Sequence, residues 1–297
     1  MTSVPATILV TSANGNQGKR LLPRLLAAGH RVRACVRSNG SADTLKELGV
    51  QEVLVGDLAD PSFIREAVRG VATIYHIGPT LHPAEREIGF DIVDAAREAG
   101  VGHIVFSSVL HAITTDLIQH EIKRDIEEHL LSSGVEFTIL QPANYMLSTR
   151  MKPVFEEGVF RLSWALDRYQ SMVDLDDVTE VAAMVLAQPT RHAAATYELV
   201  GPGRFTAHDI GQVLSRVLGQ DIRVERIDMA SFIRARFGNG DPVTFAHQAR
   251  VSESIEKRYS HHDFLGNPNV LSWLLGRSPT SFEDFVRKEY SAYKAQR

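Results

Sequence analysis

Apolar positions in the first half of the chain fall in short blocks, separated by stretches of helical period. Thr7-Ile8-Leu9-Val10 is one unbroken run, and Lys19 to Leu26 repeats its leucines as a helix does. Arg31–Val36 and Glu52–Val55 alternate as strands do. Ala72–Ile77, His103–Ser107 and Glu136–Leu140 complete six predicted strands. Asp60-Pro61 sets a cap before a first-turn proline, so a helix is expected to start there. Short apolar strands alternating with helices predict an α/β fold, a doubly wound parallel sheet covered on both faces.

The alternation breaks down after about Ala143. Thr206-Ala207-His208-Asp209 and Thr280-Ser281-Phe282-Glu283 read as capping boxes, and strand-like stretches remain at 170–173, 196–200 and 222–227. Gly201-Pro202-Gly203 and Gly238-Asn239-Gly240-Asp241-Pro242 read as turns. No repeat and no clean linker interrupts the chain. The expected division is therefore residues 1–150 as the sheet domain and 151–297 as a smaller mixed α/β region packed on it.

Composition narrows the class. With 44% hydrophobic and 23% charged residues, the chain is neither disordered nor collagenous. A net charge of −4 gives no basic footprint for nucleic acid, and no segment approaches the ~18 apolar residues of a membrane helix. Met1-Thr2-Ser3-Val4-Pro5 has no charged start or apolar stretch of a signal peptide. Cys35 stands alone, which excludes an intrachain disulfide and a cysteine-based zinc site. These features predict a soluble, cytoplasmic protein.

The first strand runs into Thr11-Ser12-Ala13-Asn14-Gly15-Asn16-Gln17-Gly18, and a helix follows. In the first strand–helix unit of a parallel sheet, glycines let the backbone approach a pyrophosphate. The helix N-terminus supplies N–H groups and a positive dipole end. A turn that merely joins strand to helix is the plainer alternative, and the position in the sheet argues against it. The second strand ends at Arg37, with no acid before Asp43. Arginine there suits a 2′-phosphate, so NADP(H) is the expected cofactor.

With these residues in place, the chain resembles the NmrA-like branch of the atypical short-chain dehydrogenase/reductases, a Rossmann-like fold. Ser12-Ala13-Asn14-Gly15-Asn16-Gln17-Gly18 is similar to the family's glycine loop, with Ser12 where the family usually has its first glycine. A serine is tolerable there if its φ is negative, and its hydroxyl would then reach toward a phosphate. The resemblance implies cofactor contacts from Ser12, Asn14, Gly15, Asn16, Gln17, Gly18 and Arg37. It places Asp57 and Leu58 beside the adenine, and Ile77, Gly78 and Pro79 by the nicotinamide half. Pro142 and Asn144, in Gln141-Pro142-Ala143-Asn144-Tyr145-Met146, would border nicotinamide and substrate.

The resemblance also implies a Tyr-x-x-x-Lys pair on the helix after the fifth strand. Lys123 is in place, to bind the nicotinamide ribose, but Gln119 holds the tyrosine's position. An amide cannot act as a general acid near neutral pH. His120, His111 and Ser107 are the remaining candidates for the missing proton donor; Lys123 completes the catalytic set. The alternative is that Gln119, His120 and Lys123 form the wet side of a helix whose core stripe is Ile118, Ile122, Ile126 and Leu130.

Two functions follow. One is an NADPH-dependent reductase of a small, fairly apolar acceptor, a quinone, ketone, imine or enone. The other is a non-enzymatic NADP(H) sensor, with a homodimer or a regulatory protein as partner. No metal site is expected: twelve histidines show no His-x-x-x-His with a helical Glu, and Asp174, Asp176 and Asp177 read as helix caps rather than a calcium cluster. Phe155, Phe160, Trp164, Phe232, Phe237 and Phe245 are either core or the wall of an apolar cleft.

Overall fold

The computed structural model describes residues 6–238 and 240–296. The reading of the N-terminus (residues 1–5) and Asn239 of the predicted 238–242 turn lie outside the described residues.

The predicted alternation is present. It runs β1 (Thr7–Val10), α1 (Gly18–Ala27), β2 (Arg31–Val36), α2 (Asn39–Glu47), β3 (Glu52–Val55), α3 (Pro61–Val68), β4 (Thr73–Ile77), α4 (Glu85–Glu98), β5 (His103–Ser107), α5 (Ile118–Ser132) and β6 (Phe137–Pro142). Then follow β7 (Asn144–Met146), α6 (Ser148–Glu157), β8 (Val159–Leu162), β9 (Met172–Asp174), α7 (Leu175–Ala187), β10 (Ala195–Leu199) and α8 (Ala207–Leu218). The chain closes with β11 (Arg223–Arg226), α9 (Met229–Phe237), α10 (Pro242–His261), α11 (Asn269–Leu275) and α12 (Phe282–Ala295).

The main sheet has the order β10-β6-β5-β4-β1-β2-β3. Neighbours from β3 to β6 pair in parallel, as in Leu9↔Arg33 and Leu9↔Ile74. Every residue of β4 and β5 is buried, which the two helical layers require. Each fully buried Leu or Ile contributes roughly 1.5–3 kcal/mol, so Leu9, Ile74 and Ile104 anchor the sheet. After β1 the chain winds outward to β3, then returns to place β4 on the other side of β1. That reversal opens a crevice at the carboxyl ends of β1 and β4, where ligands of such sheets bind.

The chain forms two compact units that interleave in sequence. One takes the chain up to Ile113, Gln119–Gln141 and Val178–Tyr197; the other takes Thr114–Ile118, Pro142–Asp177 and the chain from Glu198. A single cut near residue 150 does not describe this, because β10 returns to the edge of the main sheet as a seventh strand. In the second unit, β7 pairs with β9 and β8 with β11, both in parallel. Thr206 and Asp209 form the predicted capping box. At α12 the cap is one residue later than expected: Ser281 accepts from the Asp284 N–H.

Candidate functional site

The loop after β1 is shaped by contacts that its sequence makes obligatory. A Cβ on Gly18 would lie 2.1 Å from the Ala13 carbonyl oxygen, so only glycine lets α1 start this close to the loop. Gly15 donates its N–H to the Ser12 carbonyl at 2.9 Å and closes the turn. Ser12 itself has φ +46°, which corrects the expectation of a negative angle. The serine occupies a glycine's left-handed conformation, at a cost of about 1–2 kcal/mol.

Gln17, at the N-cap of α1, makes no side-chain bond to the first turn, and no acid stands there. Its amide faces inward instead. Tyr75 Oη donates to Gln17 Oε1 at 2.5 Å, and Gln17 Nε2 donates to Ser107 Oγ at 2.9 Å. The loop is thereby tied to β4 and β5, with Ser107 buried in that network. Thr11 adds a second tie: its hydroxyl donates to the Ile77 carbonyl at 3.0 Å and accepts the Ile77 N–H at 2.8 Å. Asn14 donates to Ser41 Oγ at 2.9 Å, and Asn16 is exposed.

At the end of β2, Arg37 is exposed and begins the turn into α2. Asp57 is exposed, and its carboxylate accepts the Ala59 N–H at 2.9 Å, while Leu58 is buried. Ile77 and Gly78 are buried where β4 ends, and Pro79 is half-buried.

Lys123 is enclosed rather than on a wet helix face. Its ammonium lies 2.7 Å from Glu85 Oε1 and 5.2 Å from the centre of the Phe106 ring, and the two side chains are 8% and 1% exposed. The pair explains Gly78, since a Cβ there would come within 2.7 Å of Glu85 Oε1 and 2.8 Å of Lys123 Nζ. Glu85 gave no signal in the sequence; it reads as an ordinary first-turn acid of α4. His76 was missed as well. It stacks on Phe106 with centroids 5.6 Å apart, and burial, then the Lys123 charge, pull its pKa down to about 3. It stays neutral and serves as packing.

Of the candidate proton donors, Ser107 and His120 are interior groups. His120 is fully buried, and its Nδ1 is 3.0 Å from the His111 carbonyl oxygen, which can only accept. Nδ1 therefore carries a hydrogen, and Nε2 is the nitrogen left to exchange a proton. His111 is half-buried at φ +58°. A further carboxyl went unseen: Glu127, one turn beyond Lys123, accepts from Ser108 Oγ and from Gln141 Nε2 at 2.9 Å. Burial raises its pKa. Pro142 ends β6, and Asn144 belongs to the second unit, where it donates to Gln170 Oε1 at 2.8 Å.

No cluster able to hold a metal occurs among the described residues. Asp174 and Asp176 pair with Lys288, at 3.2 and 2.7 Å, and Asp177 with Arg277 at 2.8 Å. Burial holds the Cys35 thiol at about 12, so it is not reactive. No described helix is long and apolar enough to cross a membrane.

The family model for the NmrA-like family matches residues 5–284. The chain belongs to the NmrA-like family. It is 32% identical over 292 residues to (4-alkanoyl-5-oxo-2,5-dihydrofuran-3-yl)methyl phosphate reductase of Streptomyces griseus, covering 96% of this chain and 99% of the relative. The NADPH-dependent quinone oxidoreductase of Escherichia coli, solved with NADPH, is similar in fold, with TM-score 0.78, 24% identity and 95% and 99% of the two chains covered. So is NmrA, a negative transcriptional regulator solved with NAD, at TM-score 0.78 and 17% identity over 98% and 97%. NAD(P) is thus the cofactor of the family, and NADP(H) that of its reductase neighbours.

Proposed function

We propose that this NmrA-like protein is an NADPH-dependent reductase of a small, fairly apolar acceptor such as a quinone, ketone, imine or enone. The observation that carries the reading is the buried Lys123, held 2.7 Å from Glu85 against Gly78 at the end of β4. Burying a lysine is costly, and a surface helix does not need one. The ammonium is ion-paired with Glu85 and keeps N–H donors for a ribose hydroxyl. The loop Ser12–Gly18 and the N-terminus of α1 fit a pyrophosphate, with Asn14 and Asn16 at its rim. Arg37 would take the 2′-phosphate, Asp57 and Leu58 the adenine, and Ile77, Gly78 and Pro79 the nicotinamide half.

Bound NADPH would supply the hydride. The protein's contribution is then to align donor and acceptor and to keep water out. With Gln119 in place of tyrosine, a quinone would draw its proton from solvent, and a more basic acceptor from His120, His111 or Glu127. The Gln119 substitution also supports a second reading, an NADP(H) sensor that binds cofactor without turnover. NADPH oxidation against quinones, ketones, imines and enones tests the choice. Turnover of one acceptor class with NADPH, at least about tenfold above NADH at subsaturating cofactor, supports the reductase. Tight NADPH binding with no oxidation by any class supports the sensor.

A further inference from the structure

The charges at the end of β4 come as a matched pair. A Cβ on Gly78 would lie 2.7 Å from Glu85 Oε1 and 2.8 Å from Lys123 Nζ, so anion and cation stand equally close to that glycine. The two are 2.7 Å apart and almost fully enclosed, and the Phe106 ring lies 5.2 Å from the ammonium. Water and salt screen buried charges poorly, so either one alone would be felt strongly at Gly78. His76, which the Lys123 charge also reaches, stays neutral and leaves the balance unaltered.

Stability does not account for this arrangement. A buried ion pair adds little, because the desolvation of both groups offsets most of their attraction. Lys123 could also donate to a ribose hydroxyl with no carboxylate beside it. What Glu85 adds at the end of β4 is negative charge.

Charge is what distinguishes the two forms of the cofactor at that place. A hydride leaving the nicotinamide carries two electrons and one proton to the acceptor, and the ring is left with a single positive charge. Against Gly78, a lone ammonium would repel the oxidised ring and a lone carboxylate would hold it. Side by side, the two groups present no net charge.

We infer that Glu85 sets the balance between oxidised and reduced cofactor by cancelling the Lys123 charge beside the nicotinamide. It is a positioning residue, acting through Lys123 and through its own field, and it need not touch substrate. The inference rests on the nicotinamide half lying by Gly78, as proposed above, but not on turnover. It applies to a reductase and to a sensor alike. All the groups involved lie in the first unit.

The readout is the ratio of the dissociation constants of NADPH and NADP+, from calorimetric titration of the full-length protein. Contacts to ribose, pyrophosphate and adenine are common to both forms and cancel in that ratio. Glu85→Gln, titrated at about pH 6 to hold the ammonium protonated, should shift the ratio toward NADPH by at least about tenfold. Lys123→Met, at about pH 8 to hold the carboxylate ionised, should shift it toward NADP+ by a similar factor. Lys123→Met/Glu85→Leu and the charge-keeping Glu85→Asp should both stay within about threefold of the wild-type ratio. Opposite signs in the two single variants are the signature, because a purely structural role weakens both forms alike. If Glu85→Gln fails to fold, Lys123→Met and the double variant carry the test. Single variants whose ratio is unmoved, or moves the same way in both, would overturn the inference while leaving the cofactor site intact. A wild type that binds neither form would overturn it together with the cofactor placement beneath it.

Discussion

Replacing Lys123 by methionine would strip the buried Glu85 carboxylate of its partner. At 2.7 Å, and with an effective dielectric of about 20, the gross attraction is roughly 6 kcal/mol. Desolvation offsets much of that in the intact pair, but the single variant keeps the cost and loses the compensation, which typically destabilises by about 3–5 kcal/mol. For a unit of this size that corresponds to a fall in Tm of roughly 6–20 °C. The double variant Lys123→Met/Glu85→Leu removes both charges and should recover most of the loss. Thermal melts of the wild type, both singles and the double form a cycle whose coupling should exceed about 2 kcal/mol. The same variants separate structure from function: the double should melt near wild type yet gain less stability from saturating NADPH. A Lys123→Met protein that melts within 2 °C of wild type would refute the buried-pair argument.

Ser12→Gly should relieve the left-handed strain at φ +46°, against an unfolded-state entropy cost of about 0.4–1 kcal/mol, so melts should show a Tm unchanged or slightly raised. A clear fall in Tm would mean that the hydroxyl contributes more than the strain costs. Gly18→Ala should be strongly destabilising, because its Cβ meets backbone at 2.1 Å; a normal urea transition would show that the loop is more yielding than described. His76 has a folded pKa of about 3, below its unfolded value near ~6.5, so its contribution is complete above pH 6.5 and is lost as pH falls toward 3. The slope is about 1.4 kcal/mol per pH unit in that window. His76→Gln, though less stable at pH 7, should show a shallower fall of Tm between pH 6 and 4, and equal slopes would contradict the assignment.

The sheet was legible because its strands are short, apolar and regularly spaced, and burial on both faces leaves no other pattern. The glycine loop was legible for the same reason: Gly15 and Gly18 stand directly between a strand and a helix. The second unit was read less well. β7, at three residues, is too short to impose a period, and β10 joins the main sheet from far along the chain, which no local pattern reports. Lys123 was placed by resemblance alone, since its helical position is that of a surface residue. Glu85 and His76 were invisible, because ion pairing and stacking across α4, α5 and β4 are tertiary facts. The sign of φ at Ser12 is likewise set by the turn, not by the serine.

The central claim, that bound NADPH passes its hydride to an acceptor, is tested most directly by single-turnover mixing. Excess protein loaded with NADPH would meet a quinone, and the nicotinamide absorbance would be followed against a protein-free control. The account predicts that the absorbance is lost far faster than in the control, and more slowly in Lys123→Met/Glu85→Leu. Tight NADPH binding with decay no faster than the control, repeated across ketones, imines and enones, would contradict it.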